Sequence, residues 1–491
     1  MSSVSSLSRL AVAIALGVSM QAAQAEEEAK ELGTVTVVGD WLGEADQAVV
    51  QNHPGARSVV RRREMLESGA QNVRDVLRKV PGVQVQDNNG TGGSDISLNV
   101  GVRGLTSRLS PRSTVMIDGV PAAVAPYGQP QLSMMPLSIG NLESIDVVDN
   151  VPTVRPGSDG HTYQDRTGGT EASAFYIDDK IDVGNWTITP GIRFEKIDSD
   201  WRDRPVLGLN GKPVQEKKRS KDYNEPLPAL SLMYHLSDEW KLFANYSESF
   251  GSLQYFQLGQ GGSGNDTAAG LEPEKAKTYE LGTRYDNGSW GGEITLFYID
   301  FDDELQYVSN DVGWTNLGAT KHQGIETSGH YDFAALDPRL DGLSVYGSLT
   351  YTRATYEGDI PSFKGRDLPL YSRQVATAGV RYEVDRWTYN LDAFAQSMQR
   401  APGLSTDSQG NFTHNYITEP SADGQYGDIP GYVTWNARVG YDFGPQASNL
   451  KLGLGVKNLF DKQYFTRSSD NNSGIYVGQP RTLFMQASVG F

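Results

Sequence analysis

The amino-acid sequence predicts an all-β barrel that crosses a membrane, preceded by a small α/β domain. From residue 170 onward, apolar and polar residues alternate in segments of about ten to fourteen residues. The connections between these segments are alternately short and long, and tryptophans follow several of the short ones. Alternating strands with short turns at one end and long loops at the other are typical of bacterial outer-membrane barrels.

The alternation has a period of two residues, which is the period of a strand with one apolar face. The clearest segments place an apolar residue at every second position: Val433, Trp435, Ala437, Val439, Tyr441 and Phe443; Leu450, Leu452, Leu454 and Val456; Leu483, Met485, Ala487, Val489 and Phe491. We expect the segment that runs to Phe491 to be the strand that closes the barrel.

The connections fall into two classes. Short turns are predicted at 182–185, 237–239, 286–289, 385–386 and 444–448. Long polar loops are predicted at about 199–222, 251–275, 304–319, 356–370, 400–430 and 466–478. Trp186, Trp240, Trp290 and Trp387 each follow a short turn, where an interfacial aromatic girdle belongs. A soluble β-sandwich explains the alternation but neither the loop lengths nor the tryptophans.

Composition narrows the function classes. The chain has 491 residues, and 43 Lys and Arg against 60 Asp and Glu give a net charge of −17. This acidity argues against nucleic acid as the main partner, since phosphate binding requires a basic face. There is no cysteine, which excludes disulfides, thiolate metal sites and a cysteine nucleophile. No catalytic constellation is present, so an enzyme is not predicted, and no cofactor is expected. The acidic cluster Asp300, Asp302, Asp303 and Glu304 is expected to be a solvated loop.

Residues 1–25 are predicted to be a secretory signal peptide. Arg9 is its positive charge, residues 10–20 form an apolar run too short to span a bilayer, and 23–25 have the small-residue pattern of a cleavage site. In the acidic segment 26–45, residues 32–40 are β-prone. This stretch could add to the sheet edge of another protein or form the first strand of the next domain.

Residues 46–148 are predicted to form the small α/β domain. One short helix is expected at 63–69, ended by glycine, and another at 72–80, stopped by Pro81-Gly82. Strands are expected at 83–85, 98–102, 114–117 and 144–148.

Several motifs resemble those of TonB-dependent receptors, in order along nearly the whole chain. Residues 34–38 resemble the TonB box. The plug-like motifs are 72–77, 80–83, 102–105 and 117–121. The barrel-like motifs are 271–274 with 279–282, and 458–464. Each motif is weak alone, but their shared order identifies the family. The stretches 88–92 and 125–131 most resemble ferric citrate receptors.

The resemblance implies a plug domain, an outer-membrane location and import of a ferric chelate. Its implied partners are TonB with its inner-membrane energising complex, ferric citrate or another iron-siderophore, outer-membrane lipids and the barrel-assembly machinery. The TonB box would be Thr34, Val35, Thr36, Val37 and Val38.

The ligand-binding residues implied by the resemblance lie in the plug. Thr91, Arg103 and Gln129 stand where the family's plug touches its ligand, and Arg108 and Arg112 lie nearby. Guanidinium groups suit an anionic, carboxylate-rich complex. A structural role is the alternative for Arg103, whose side chain could pair within the protein.

The chain also departs from the family pattern. About thirteen strands are predicted in 170–491, whereas plugged transporters have ~22 and single-chain bacterial barrels have even numbers. Residues 149–169 form a junction where the end of the plug and the first barrel strands are expected. We therefore predict a partial barrel, through an internal deletion or a faulty gene model. An inactive remnant and a passive channel remain alternative functions.

Overall fold

A computed structural model of the chain divides it into two units, Met1–Glu44 and Ala45–Phe491, and all described residues lie in the second. The described residues are 50–70, 72–86, 99–104, 116–117, 120–121, 144–148, 165–204, 216–253, 258, 270–309, 313–316, 318–358, 363–369, 371–401, 403–406, 412–417, 427–445, 450–468 and 475–489.

Within the described residues, the plug domain contains two short helices and three strand pairs. Its elements are β1 (Arg57–Arg61), α1 (Arg62–Glu67), α2 (Val73–Leu77), β2 (Val83–Gln86), β3 (Asn99–Val102), β4 (Met116–Ile117), β5 (Val120–Pro121) and β6 (Ser144–Val148). The antiparallel pairs are β1–β6, β2–β3 and β4–β5. The Asn72 side chain caps α2 by accepting a hydrogen bond from Asp75 N at 3.0 Å. The predicted helices and strands are therefore present, with shorter helices than expected.

The plug has an apolar core of its own. It consists of the buried residues Met65, Ala70, Val73, Val76, Leu77, Val80 and Val83. These residues come from both helices, from the segments that follow them and from the start of β2, so the core holds the helices on the strands.

The second part of the chain forms the wall of the partial barrel. Its long strands are β7 (Asp165–Asp178), β8 (Ile181–Val183), β9 (Trp186–Arg204), β10 (Lys217–His235), β11 (Trp240–Gly251), β12 (Glu274–Asp286), β13 (Trp290–Asp302), β16 (Thr320–Asp332), β17 (Leu343–Tyr356), β18 (Gln374–Val384), β19 (Trp387–Gln396), β24 (Tyr432–Asp442), β25 (Lys451–Lys457) and β28 (Thr482–Ser488). They form a 14-stranded antiparallel sheet in which thirteen strands follow one another in sequence order and β8 pairs with β9 alone. The predicted strand number is confirmed.

Shorter strands lie in the long connections. They are β14 (Leu305–Ser309), β15 (Gly313–Asn316), β20 (Gln399–Ala401), β21 (Gly403–Thr406), β22 (Phe412–Ile417), β23 (Gly427–Ile429), β26 (Phe465–Ser468) and β27 (Ile475–Val477). We call the end of the sheet that carries these connections the outer end. At the opposite end the connections are short turns, except where two 3₁₀ helices, Phe333–Ala335 and Pro338–Leu340, join β16 to β17. In the described part of the chain, no helix is long and apolar enough to cross a bilayer.

The strands are apolar outside and polar inside. Along β12, the exposed Tyr279 and Leu281 alternate with the buried Thr278 and Glu280. This is the reverse of a soluble β-sandwich, because the apolar face is the exposed one. The tryptophans predicted to form a girdle, Trp186, Trp240, Trp290 and Trp387, each begin a strand at the short-turn end and are 43–47% exposed.

The two outermost strands of this sheet, β7 and β28, are not paired with each other within the described residues. The wall is therefore an open sheet, as the strand number led us to expect. The boundaries 1–25, 26–45 and 149–169 lie outside the described residues, or almost entirely so, and stay predictions.

Candidate functional site

The plug docks against the polar inner face of the wall through a turn at Arg103. This residue follows β3 and has φ 51, a left-handed conformation that is uncommon for a residue with a side chain. Its backbone N–H donates to the Gly82 carbonyl at 2.9 Å. The turn is therefore tied to the start of β2, and its side chain reaches out of the plug.

The Arg103 guanidinium is held by two carboxylates of the wall. Its Nη1 lies 2.6 Å from Glu280 Oε1 on β12, and its Nε and Nη2 lie 2.9 and 3.0 Å from the two oxygens of Glu326 on β16. Arg103 is 2% exposed, and the two glutamate side chains are 5% and 7% exposed. We call Arg103, Glu280 and Glu326 the latch. The bidentate pair with Glu326 fixes the orientation of the guanidinium as well as its position.

Two glycines make room for the latch. A Cβ at Gly82 would lie 2.2 Å from Glu326 Oε1, and φ at this glycine is 74. A Cβ at Gly324 on β16 would lie 2.0 Å from the Tyr351 carbonyl oxygen and 2.7 Å from the Phe297 ring, on which the Arg103 guanidinium sits 4.6 Å from the centroid. The close approach of the plug to Glu326 therefore depends on the missing side chain at Gly82, and the packing of the wall around Phe297 depends on the missing side chain at Gly324.

A second set of ion pairs joins the region of α2 to β19 and β25, which lie toward the β28 edge of the sheet. Lys79 Nζ lies 3.3 Å from Asp392 Oδ1 on β19, and Asp75 is paired with Lys457 on β25. Burial alone would lower the pKa of Lys79, but the attraction and hydrogen bond of Asp392, together with the charges of Tyr346 and Asp75, outweigh it, and the pKa is raised above the ordinary 10.5. Lys79 therefore remains charged at neutral pH.

A third contact holds the chain where it enters the plug. Arg284 on β12 donates to the carbonyl groups of Val50, His53 and Gly55, and its Nε lies 2.6 Å from Glu293 Oε2. The described residues that precede β1 are therefore held against the wall at Arg284.

The structure supports the structural alternative for Arg103, whose guanidinium faces Glu280 and Glu326. Contact between Arg103 and a ligand stays a prediction. The other predicted ligand residues, Thr91, Arg108, Arg112 and Gln129, lie outside the described residues, as does the predicted TonB box Thr34–Val38.

The prediction that the acidic cluster at 300–304 is a solvated loop is wrong for Glu304. Glu304 is 4% exposed and accepts a hydrogen bond from the Thr320 hydroxyl, so it is not part of a solvated loop. Among the described residues, no group of His, Asp and Glu is arranged to hold a metal ion.

Sequence reasoning also missed the wall side of the docking contacts. Glu280, Glu326, Asp392 and Arg284 are charged residues at inward positions of strands whose outward positions are apolar. That placement is the signal that could have found them, because a charge facing the inside of a filled barrel needs a partner.

Comparison with known proteins agrees with this architecture. The family described as "TonB dependent receptor-like, beta-barrel" matches residues 78–459. The crystal structure of the ferric citrate transporter FecA in the unliganded form is 31% identical, with a TM-score of 0.78, covering 93% of this chain and 100% of that one. The ferric yersiniabactin uptake receptor FyuA from Yersinia pestis, 14% identical with a TM-score of 0.62, shares the fold and covers 89% of this chain and 98% of its own.

Curated relatives are more distant. The metal-pseudopaline receptor CntO of Pseudomonas aeruginosa is 25% identical over 65% of this chain, and the catecholate siderophore receptor Fiu of Escherichia coli K12 is 23% identical over 71%. The matches cover 41% and 46% of these two relatives, so the chain spans less than half of their length.

Proposed function

The chain belongs to the family of TonB-dependent outer-membrane receptors, which are transport receptors rather than enzymes, and from that membership we propose that it imports a ferric chelate, energised through the TonB box. The proposed substrate is ferric citrate or a related siderophore. The 31% identity to a ferric citrate transporter and the stretches 88–92 and 125–131 support it. The curated relatives are named for other chelates, so the substrate class is wider than citrate alone.

The observation that carries this proposal is the charged docking of the plug. The apolar core of the plug lies within the plug itself, whereas its contacts with the wall include the latch, Lys79–Asp392 and Asp75–Lys457. A buried ion pair contributes little net stability, because desolvation offsets much of the attraction, and its charges are readily rehydrated when the partners separate. Such an interface suits a closure that opens and reforms.

The same contacts suggest how energy would be used. TonB would bind residues 34–38 by strand addition, in which backbone groups of the box pair with a sheet edge. Pulling would first load the segment at Val50–Gly55, held by Arg284, and then the plug. The ligand, bound at the outer side of the plug, would pass once the latch has opened.

Val37→Pro tests this function. Proline removes a backbone N–H and so disrupts strand addition, whereas Val37→Ala keeps it and serves as the control. Both variants are made in the chain completed with about nine strands between Val148 and β7, in a host without its own ferric citrate receptor, and binding and uptake of radiolabelled ferric citrate are measured. We expect Val37→Pro to bind normally but to lose uptake. Unchanged uptake, or absence of ferric chelate binding by the parent chain, would contradict the proposal.

The open sheet favours a second candidate, a receptor remnant that docks its plug but does not transport. Unpaired backbone groups in lipid cost several kcal/mol each, which opposes stable insertion of an open edge. Binding without uptake in the parent chain would support this candidate. A passive channel predicts ion conductance in planar bilayers that is independent of TonB.

A further inference from the structure

The inner face of β16 carries a row of buried polar residues. Thr320 and His322 are 0% exposed, and Glu326, a member of the latch, is also buried. Because side chains alternate along a strand, these even-numbered residues and Gly324 face the same side. The row runs from the outer end of the sheet down to the latch.

His322 links this row to the backbone of the plug. Its Nδ1 lies 3.3 Å from the Arg103 carbonyl oxygen, and its Nε2 lies 3.3 Å from the Thr320 hydroxyl. The imidazole and the Phe301 ring pack edge to face at a centroid distance of 5.4 Å. The residue that offers its guanidinium to Glu326 therefore offers its carbonyl to His322, four residues earlier on the same strand.

Thr320 continues the chain of hydrogen bonds to the outer connections. Its hydroxyl contacts the Glu304 carboxyl group, and the Glu304 backbone N–H donates to the Gly318 carbonyl at 3.1 Å. Glu304 directly precedes the hairpin of β14 and β15. Within this connection, Asn316 exchanges two hydrogen bonds of 2.9 Å with the backbone of Glu272 in the neighbouring long connection.

The Thr320 hydroxyl joins the His322 imidazole to the Glu304 carboxylate. The Arg103 carbonyl can only accept, so Nδ1 of His322 must carry a proton and donate it. The Thr320 hydroxyl donates to the Glu304 carboxylate, and the same oxygen lies within hydrogen-bonding distance of His322 Nε2. Thr320 therefore bridges a residue of the outer connection to a residue that contacts the plug.

We propose that Thr320 and His322 are positioning residues that couple Glu304 and the hairpin of β14 and β15 to the latch. A ligand that rearranges this hairpin would shift Glu304, and the shift would reach the Arg103 turn through Thr320 and His322. The ligand part of this inference rests on the proposed function. The coupling itself does not, because it predicts that a change at the latch is also felt at the hairpin.

The first test therefore needs no ligand. Amide hydrogen exchange of 305–309 and 313–316 is compared between the parent chain and Arg103→Met in outer-membrane preparations. We expect exchange in the hairpin to be roughly 5- to 150-fold faster in Arg103→Met, the range of typical site–site coupling. In a Thr320→Val background the response to Arg103→Met should disappear, because valine keeps the shape of threonine but removes its hydroxyl.

Two controls separate coupling from loss of stability. Thr320→Ser keeps the hydroxyl and should restore the response. Thr295→Val changes an equally buried threonine on β13, whose hydroxyl bonds Glu293, and should leave the response intact. A response that persists in Thr320→Val, or that is absent in the parent background, would overturn the proposal.

The second test adds ferric citrate. We expect the ligand to change exchange at 99–104 in the parent chain and in Thr295→Val, but not in Thr320→Val, with an affinity within about threefold of the parent. Equal ligand responses in the parent and Thr320→Val would also count against the coupling. A chain that binds no ferric chelate but keeps the ligand-free response would contradict the proposed function and leave the coupling supported.

Discussion

Removing the Arg103 side chain is the most direct perturbation of the docked plug. Arg103→Met keeps an unbranched chain of similar length but leaves Glu280 and Glu326, both almost fully buried, without the guanidinium between them. Deleting one partner of a buried ion pair costs about 3–5 kcal/mol, because the remaining charge stays desolvated. Since 1.4 kcal/mol corresponds to a factor of ten, the open form of the turn at 99–104 should become about a hundred- to several thousandfold more populated.

Hydrogen exchange of 99–104 in outer-membrane preparations measures this population. The matched control is the triple variant Arg103→Met, Glu280→Gln and Glu326→Gln, which removes the uncompensated charges. It should recover most of the protection, because replacing all members of a buried ionic group is often nearly neutral. Exchange in Arg103→Met equal to that of the parent would show that the latch does not hold the turn. Equally fast exchange in the triple variant would show that lost packing, rather than charge, is responsible.

Three further outcomes are expected. Gly82→Ala should weaken plug docking by about 1–3 kcal/mol, because the new Cβ would lie 2.2 Å from Glu326 Oε1 and φ is 74 at this position. The measurement is the rate of trypsin cleavage of the plug, which should rise in Gly82→Ala but not in the control Gly270→Ala, whose Cβ would have nothing within 4 Å. Equal cleavage of both variants would contradict the steric reasoning. Lys79→Met should lower the free energy of unfolding by the same amount at pH 6 and pH 9, because a raised lysine pKa keeps its stabilisation complete below the ordinary value of 10.5 and loses it only at higher pH; an effect that changes across this window would refute the assignment. Insertion of about nine strands between Val148 and β7, to reach the ~22 of plugged transporters, should produce a heat-modifiable folded band on gels that the chain without the insertion lacks, and identical bands would show that the open sheet is no obstacle.

The strands of the wall could be predicted from the sequence because each one has a local pattern of alternating apolar and polar residues. A two-residue alternation, a short turn and a tryptophan after it are read within about fifteen residues, and Trp186, Trp240, Trp290 and Trp387 all begin strands as expected. The plug elements were found in the same way, through the glycine and proline signals near 69 and 81. Helix ends were less accurate, since only Val73–Leu77 of the predicted 72–80 is helical.

The docking contacts could not be found in this way because they join distant parts of the chain. Arg103 is 177 residues from Glu280 and 223 from Glu326, and no local pattern encodes those pairings. The burial of Glu304 was also missed because it depends on a residue distant in sequence. Among neighbouring aspartates it looked like a solvated residue, but the strand that buries it begins sixteen residues later with Thr320.

The directions of the first and last strands determine how many more strands this sheet needs to close into a barrel. Adjacent strands are antiparallel, and with thirteen in the continuous path the first and last, β7 and β28, run the same way. Joining them directly would give a parallel seam, so antiparallel closure requires an odd number of additional strands. The plug contacts described above fall on β12 and the strands after it, whereas residues 171–178 of β7 are exposed on both faces, with the neighbouring residues Phe175 and Tyr176 65% and 66% exposed. The sheet therefore contains all the residues of the latch and of its hydrogen bonds through His322 and Thr320, whereas the strands that would close the barrel between β28 and β7 are not part of it. Plug docking should therefore be a property of this chain by itself, and transport should depend on strands added between β28 and β7.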